Sequence, residues 1–171
     1  MTREFLDSGD KTPLTKQEEE YAKKLTDDQN LEYLPFGYRM YANDPSADNA
    51  YAIAISLNNC YQYSLAIPWF EKTLELDPED NYARGKLAYI YQQVEMYDKS
   101  TETVKDLLDR IPDEETDLRD ELYCIVADNY YFDDKIDEAI TWLERILQES
   151  KNKDLISYTE DMIKKWKKFL G

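Results

Sequence analysis

One pattern in this chain has the residue types and spacing for acid–base chemistry, the carboxylate pairs Asp133-Asp134 and Asp137-Glu138. Two neighbouring carboxyls can act as acid and base when burial raises the pKa of one of them. Both pairs stand where a helix is expected to begin, and there a solvated carboxylate ordinarily serves the helix N-terminus. The 171 residues include no histidine, which removes the commonest general base and the commonest metal ligand together. Four glycines, Gly9, Gly37, Gly85 and Gly171, are too scattered for a phosphate-cradling or calcium-binding loop. Cys60 and Cys124 are too few for a disulfide framework. These residues predict a chain without turnover, metal or cofactor, and so not an enzyme.

Acid and tyrosine are abundant. The formal net charge is −16, and residues 47–150 carry 24 acidic side chains against 9 basic ones. Such a field repels phosphate backbones, so no nucleic-acid partner is expected. It either keeps the chain soluble or steers a basic partner segment toward it. Hydrophobic residues make up 42% and charged residues 34%, too apolar for a disordered chain and too charged for a membrane protein. Residues 1–10 carry Glu4, Asp7 and Asp10 and have no apolar run, unlike a secretory leader, so the expected address is cytoplasmic.

The elements that position these side chains repeat. Pro78 and Pro112 stand 34 residues apart, a period typical of stacked helical hairpins. Within 47–80, Ala50, Ile53, Ala54 and Leu57 recur at helical spacing, Tyr61 and Tyr63 are expected to close that helix, and Ala66, Phe70, Leu74 and Leu76 mark a second one. The stretch 81–114 repeats the scheme with Leu87, Ala88 and Tyr91, then Ser100, Val104, Leu107 and Leu108. A third, 115–151, has Tyr123, Val126, Ala127 and Tyr130, then Ala139, Leu143 and Ile146. The step from Ser100 to Ala139 is five residues longer than the period, and the acidic run 113–117 is expected to add about a turn and a half to the helix that follows.

This pattern resembles the tetratricopeptide repeat, W-x2-L-G-x2-Y, then A-x3-F, then P. Ile53, Leu57, Ala66, Phe70 and Pro78 fit in kind, whereas Ala50 replaces the Trp and Ala54 the Gly. The resemblance covers residues 47–151 and implies an all-α, right-handed α-α superhelix of antiparallel helix hairpins. Hairpins of this type bury their apolar faces on one another and leave a concave groove suited to another polypeptide.

Both flanks are expected to be helical. Residues 152–171 form an amphipathic helix with Leu155, Tyr158, Met162, Trp166 and Phe169 on one stripe; it either caps the solenoid or, being rich in lysine, lies on an anionic membrane. In 1–46, Thr15-Lys16-Gln17-Glu18 has the form of a capping box, with Tyr21, Ala22 and Leu25 behind it. Pro35 then opens a short helix through Phe36, Met40 and Tyr41, ending near Asp44-Pro45. The two helices form a degenerate hairpin that caps the solenoid, or else residues 30–43 lie in the groove as an aromatic strip. Residues before Pro13 are expected to be loose.

The first helix of each hairpin lines the groove in the family. Carried onto this chain, that presents Tyr51, Ile55 and Asn58, then Tyr82, Tyr89 and Gln92, then Cys124, Asp128 and Tyr131, with Gly85 leaving room for a ligand side chain. Four of nine are tyrosine, whose ring gives apolar contact and whose hydroxyl a polar tip; the same rings could instead fill gaps between hairpins. The positions that grip a chaperone's C-terminal carboxylate in some members here hold Tyr51, Ile55, Lys86, Glu121 and Ile125, a set that does not suit a carboxylate. The expected function is a non-catalytic scaffold for a peptide or protein segment, one with basic or aromatic residues, with no membrane partner. The alternative is a self-associating module.

Overall fold

A computed structural model describes residues 9–28 and 31–170 of the chain. The leader question at residues 1–8, Asn30 at the start of the aromatic strip, the Phe169 side chain and Gly171 lie outside the described residues. Nine α-helices and a 3-10 turn at Leu31–Tyr33 make up the regular structure among them, with no strand. The helices divide into two compact units, one ending at Val94 and the other beginning at Glu95.

The first unit opens with helix α1, Lys16–Asp28. Its capping box is formed: Glu18 Oε2 accepts from the Thr15 amide at 2.7 Å, and Thr15 Oγ1 accepts from the Glu18 amide at 3.3 Å. Helix α2, Leu34–Asn43, has Pro35 in its first turn, where no amide is needed. Its Arg39 Nη1 donates to Glu18 Oε1 at 2.8 Å. That guanidinium, and after it the Thr15 amide and hydroxyl, hold the Glu18 carboxyl down at about 2.

Arg39 and Asn43 also bond the chain ahead of α1, where a loose start is expected before Pro13; residues 1–8 of that start lie outside the described residues. Arg39 Nε donates to the Thr12 carbonyl at 2.8 Å and Nη2 to the Pro13 carbonyl at 3.1 Å, while Asn43 Nδ2 reaches the Lys11 carbonyl at 3.0 Å. The segment has no helical period of its own, yet α2 holds its backbone.

Helices α3, Ala47–Asn59, and α4, Tyr63–Leu76, form the first full hairpin. Ser46 caps α3 by accepting from the Asn49 amide at 3.4 Å. Ala50, Ile53, Ala54 and Leu57 of α3 and Ala66 and Phe70 of α4 are fully buried, because two helices approach closely only where short side chains face each other. α2 lies against α3. It reaches α4 as well, where Trp69 meets the Tyr38 and Tyr41 rings at 5.6 and 5.0 Å. Helix α5, Asn81–Gln93, follows the Pro78 turn; Asp80 caps it by accepting from the Ala83 amide at 2.8 Å, and it packs on α4. Tyr91 of α5 donates its hydroxyl to Glu71 Oε1 of α4 at 2.6 Å.

Tyr38 carries a test of the α2–α4 contact. Among the described residues its hydroxyl and Trp69 Nε1 are enclosed without hydrogen-bond partners, and a buried unmet hydroxyl costs about 1–3 kcal/mol. Tyr38→Phe should therefore leave thermal stability unchanged or raise it by about 1 kcal/mol. A clear loss on melting would show that the hydroxyl is bonded in solution.

Tyr61 and Tyr63 do not close α3. The helix ends at Asn59, Tyr61 sits in the left-handed region at φ 58°, and Tyr63 starts α4. The Gln62 amide donates to the Leu57 carbonyl at 2.9 Å, and the Tyr61 amide to the Asn58 carbonyl at 2.9 Å, closing the turn. Asp134 at φ 57° makes the equivalent turn in the second unit, where the Lys135 amide donates to the Tyr130 carbonyl at 2.8 Å.

The second unit holds α6, Tyr97–Arg110; α7, Thr116–Phe132; α8, Ile136–Glu149; and α9, Lys153–Leu170. α6 packs on α7, α7 on α8, and α8 on α9. α7 has 17 residues where α3 and α5 have 13, so the longer step adds about one turn to the helix. The acidic residues 113–115 themselves lie in the connection ahead of it. Ser100, where the other hairpins have Ala66 and Ala139, is buried because Asn129 Nδ2 of α7 donates to its Oγ at 2.8 Å and to Thr101 Oγ1 at 3.1 Å.

On α9 the buried stripe runs through Thr159, Ile163 and Trp166. Tyr158, expected inside it, is 62% exposed. A helix position one residue off turns the side chain by 100°. No helix among the described residues is long and apolar enough to cross a membrane.

Candidate functional site

In the first unit α3 supplies Tyr51, Ile55 and Asn58, all half-buried. α5 supplies Tyr82 and Tyr89, 65% and 41% exposed, with Gln92 half-buried. Tyr82, Lys86 and Tyr89 stand at i, i+4 and i+7 and so share one stripe of α5. Lys86 Nζ lies 5.2 Å from the centre of the Tyr82 ring, a cation–π distance.

The Tyr51 ring lies 6.0 Å from Tyr82 and edge-on to Phe70 at 5.8 Å, linking the exposed stripe to the core of the hairpin. Burial, then the Tyr82 hydroxyl and the Asp80 carboxylate, hold the Tyr51 phenol far above its ordinary range. It therefore stays a neutral donor and acceptor at any physiological pH. Beside Tyr51 and Ile55 on α3, Asn58 Nδ2 donates to Asn59 Oδ1 at 3.0 Å. Among the described residues, Asn58 Oδ1 and Asn59 Nδ2 are enclosed without hydrogen-bond partners.

Helical register did not pick out two further rings. Tyr63 meets Tyr89 edge-on at 6.4 Å, and Tyr61, 78% exposed, meets Tyr63 at 6.1 Å. Tyr61 lies in the turn between α3 and α4 and Tyr63 is the first residue of α4, a junction where a 3.6-residue period carries little signal. An aromatic residue at positive φ is uncommon, and the cue available in the sequence is the bulky Tyr61 at a hairpin turn that glycine would ordinarily fill.

In the second unit α7 carries Cys124, Asp128 and Tyr131. Burial, and then the Asp128 carboxylate, push the Cys124 thiol up to about 11, and burial raises Asp128 as well. The Tyr131 ring is stacked on Trp166 of α9 at 4.6 Å and is 37% exposed, so the terminal helix covers part of it. Since the thiolate is the nucleophile, Cys124 should alkylate with iodoacetamide at pH 7.5 on the order of 100-fold more slowly than an unperturbed thiol. Reaction at the ordinary rate, followed by mass spectrometry, would contradict this burial.

Of the carboxylate pairs, Asp134 shares a cleft with one of these residues, Tyr131. Asp133 and Asp134 are exposed in the turn before α8, and Asp137 and Glu138 are exposed in its first turn, where they favour the helix N-terminus. No group of three or more metal-ligating side chains is assembled among the described residues.

Solved structures share this fold. YrrB, described as a TPR protein with an unusual peptide-binding site, is 16% identical with a TM-score of 0.63, over 84% of this chain and 68% of its own. MamA 41-end from Desulfovibrio magneticus RS-1 is 14% identical with a TM-score of 0.65, over 87% of this chain and 93% of its own. A MamA RS-1 double mutant is 12% identical with a TM-score of 0.64, over 88% and 95%. No family model matches the chain, and no curated protein does. The fold is that of the tetratricopeptide-repeat proteins, an all-α solenoid of helix hairpins.

Proposed function

We propose that the chain is a cytoplasmic, non-catalytic scaffold that takes a peptide or protein segment on the tyrosine-rich face of α3 and α5. The observation that carries the reading is the pair of exposed rings, Tyr82 and Tyr89, on one stripe of α5 with the half-buried Lys86 between them and Tyr51 behind. It offers rings at low entropic cost, with hydroxyls that a peptide backbone can meet. YrrB, of like fold, is described as having a peptide-binding site. Cys124, Asp128 and Tyr131 of α7 present a second, smaller face. The acidic field favours a segment with basic residues, the rings favour aromatic ones, and the field disfavours a second copy, which carries the same net −16.

A peptide-display selection on the full chain, followed by calorimetric titration, tests this. Tyr82→Ala/Tyr89→Ala should weaken the selected peptide by about tenfold or more with an unchanged melting curve, since both rings are exposed. Tyr51→Ala is a poorer probe, because its ring also packs on Phe70. Undiminished binding by the double variant moves the site elsewhere.

A further inference from the structure

We propose a second recognition site within the second unit, distinct from the tyrosine face, where α6 begins and α7 ends. It takes a basic segment that alternates cationic and apolar side chains. Tyr97 and Phe132 stack there at 5.8 Å with an interplanar angle of 23°, and Tyr131 meets Phe132 edge-on at 5.7 Å. Phe132 is 57% exposed and Met96 38%, an unusual display of large apolar groups at one end of a strongly acidic chain.

Each ring of the stacked pair borders a cleft. One, of about 270 Å³, is bordered by Glu95, Met96, Tyr97, Asp98, Lys99 and Asp133, three carboxylates to one ammonium. The other, of about 320 Å³, is bordered by Tyr131, Phe132, Asp134 and Ile136. Each cleft therefore joins an aromatic face to carboxylates. Lys135 Nζ takes up part of that charge, 2.5 Å from Asp133 and 3.9 Å from Asp98. Glu95 and Asp134 remain as the exposed carboxylates that a ligand's cation meets, both held at positive φ in the hairpin turns.

Arginine suits this arrangement best. Its planar guanidinium lies flat on an aromatic ring and bonds a carboxylate at its edge, and a leucine-sized neighbour fills the apolar floor at Met96 or Ile136. Phosphate-bearing surfaces and a second acidic copy are repelled by the same charges.

The test is fluorescence anisotropy of the full chain with fluorescein-labelled Arg-Leu-Arg-Leu-Arg and its Glu-Leu-Glu-Leu-Glu counterpart. The basic peptide should bind, the acidic one should not, and binding should weaken from 50 to 300 mM salt, both figures roughly spanning the range over which exposed charges become screened. Phe132→Ser should cost about tenfold. Glu95→Gln/Asp134→Asn, which keeps the size of each side chain and removes only its charge, should cost about threefold or more. Tyr82→Ala/Tyr89→Ala should leave this peptide unaffected, which separates the site from the tyrosine face. No binding by the wild type, equal binding of the acidic peptide, or full binding by both Phe132→Ser and Glu95→Gln/Asp134→Asn would overturn the proposal. So would light scattering showing that wild type self-associates and Phe132→Ser does not, because a second copy would then occupy the patch.

Discussion

Phe70→Ala should destabilise the chain by about 3–5 kcal/mol, the largest single-residue effect expected here. Phe70 is wholly buried between α3 and α4, and Ala54 and Ala66 are too small to close over the cavity. Tyr51 would lose its edge contact at the same time. Against a typical total of about 5–15 kcal/mol, that loss lowers the denaturant midpoint sharply. The unfolding should involve α3, α4 and α5 together, because α4 packs on both of its neighbours. A midpoint near that of the wild type would mean that the hairpin core lies elsewhere.

Gly37→Leu should cost about 2–3 kcal/mol through overpacking. A Cβ at position 37 would stand 2.6 Å from Tyr33 Cε1 and 3.1 Å from Ile53 Cγ1. Neither neighbour can swing away, since Tyr33 is 1% exposed and Ile53 wholly buried. The added side chain must push α2 off α3, and with it the Arg39 bonds that hold residues 12 and 13. Amide hydrogen exchange should therefore quicken in α1 and α2 well before α4. Unchanged protection there would show that this close approach is not what seats the amino-terminal hairpin.

Much of the hairpin core was legible because it obeys local periods. Ala54, Ala88 and Ala127 mark where helices touch, Phe70 fills the space beside the first of them, and all four are wholly buried. Pro78 and Pro112 mark the connections, and Thr15 with Glu18 marks a helix start by its own chemistry. What was hidden depends on contacts distant in sequence. Arg39 reaches back 26 and 27 residues to the carbonyls of Pro13 and Thr12, and no composition signal announces that. Ser100 looks like an imperfect alanine until Asn129 is seen to bond it.

The site was only partly legible for a related reason. Helical register can select Tyr82 and Tyr89, which lie two turns apart on one stripe of α5. It cannot select Tyr63, which reaches Tyr89 from the first residue of α4, or Tyr61, which meets Tyr63 from the turn before it. Nor can it pair Tyr97 with Phe132, 35 residues on, where the stack exists because α6 and α7 pack side by side. On α9 the buried stripe passes through Thr159 rather than Tyr158, and a polar residue there escapes a hydrophobic count.

An amide NMR titration of the 15N-labelled full chain with a display-selected peptide tests the scaffold reading most directly. Resonances of residues 47–59 and 81–93 should move together, those around Tyr82, Lys86 and Tyr89 the most, and they should stay still in the Tyr82→Ala/Tyr89→Ala variant. A peptide that binds while those amides remain unmoved would contradict it, as would a selection that enriches no peptide.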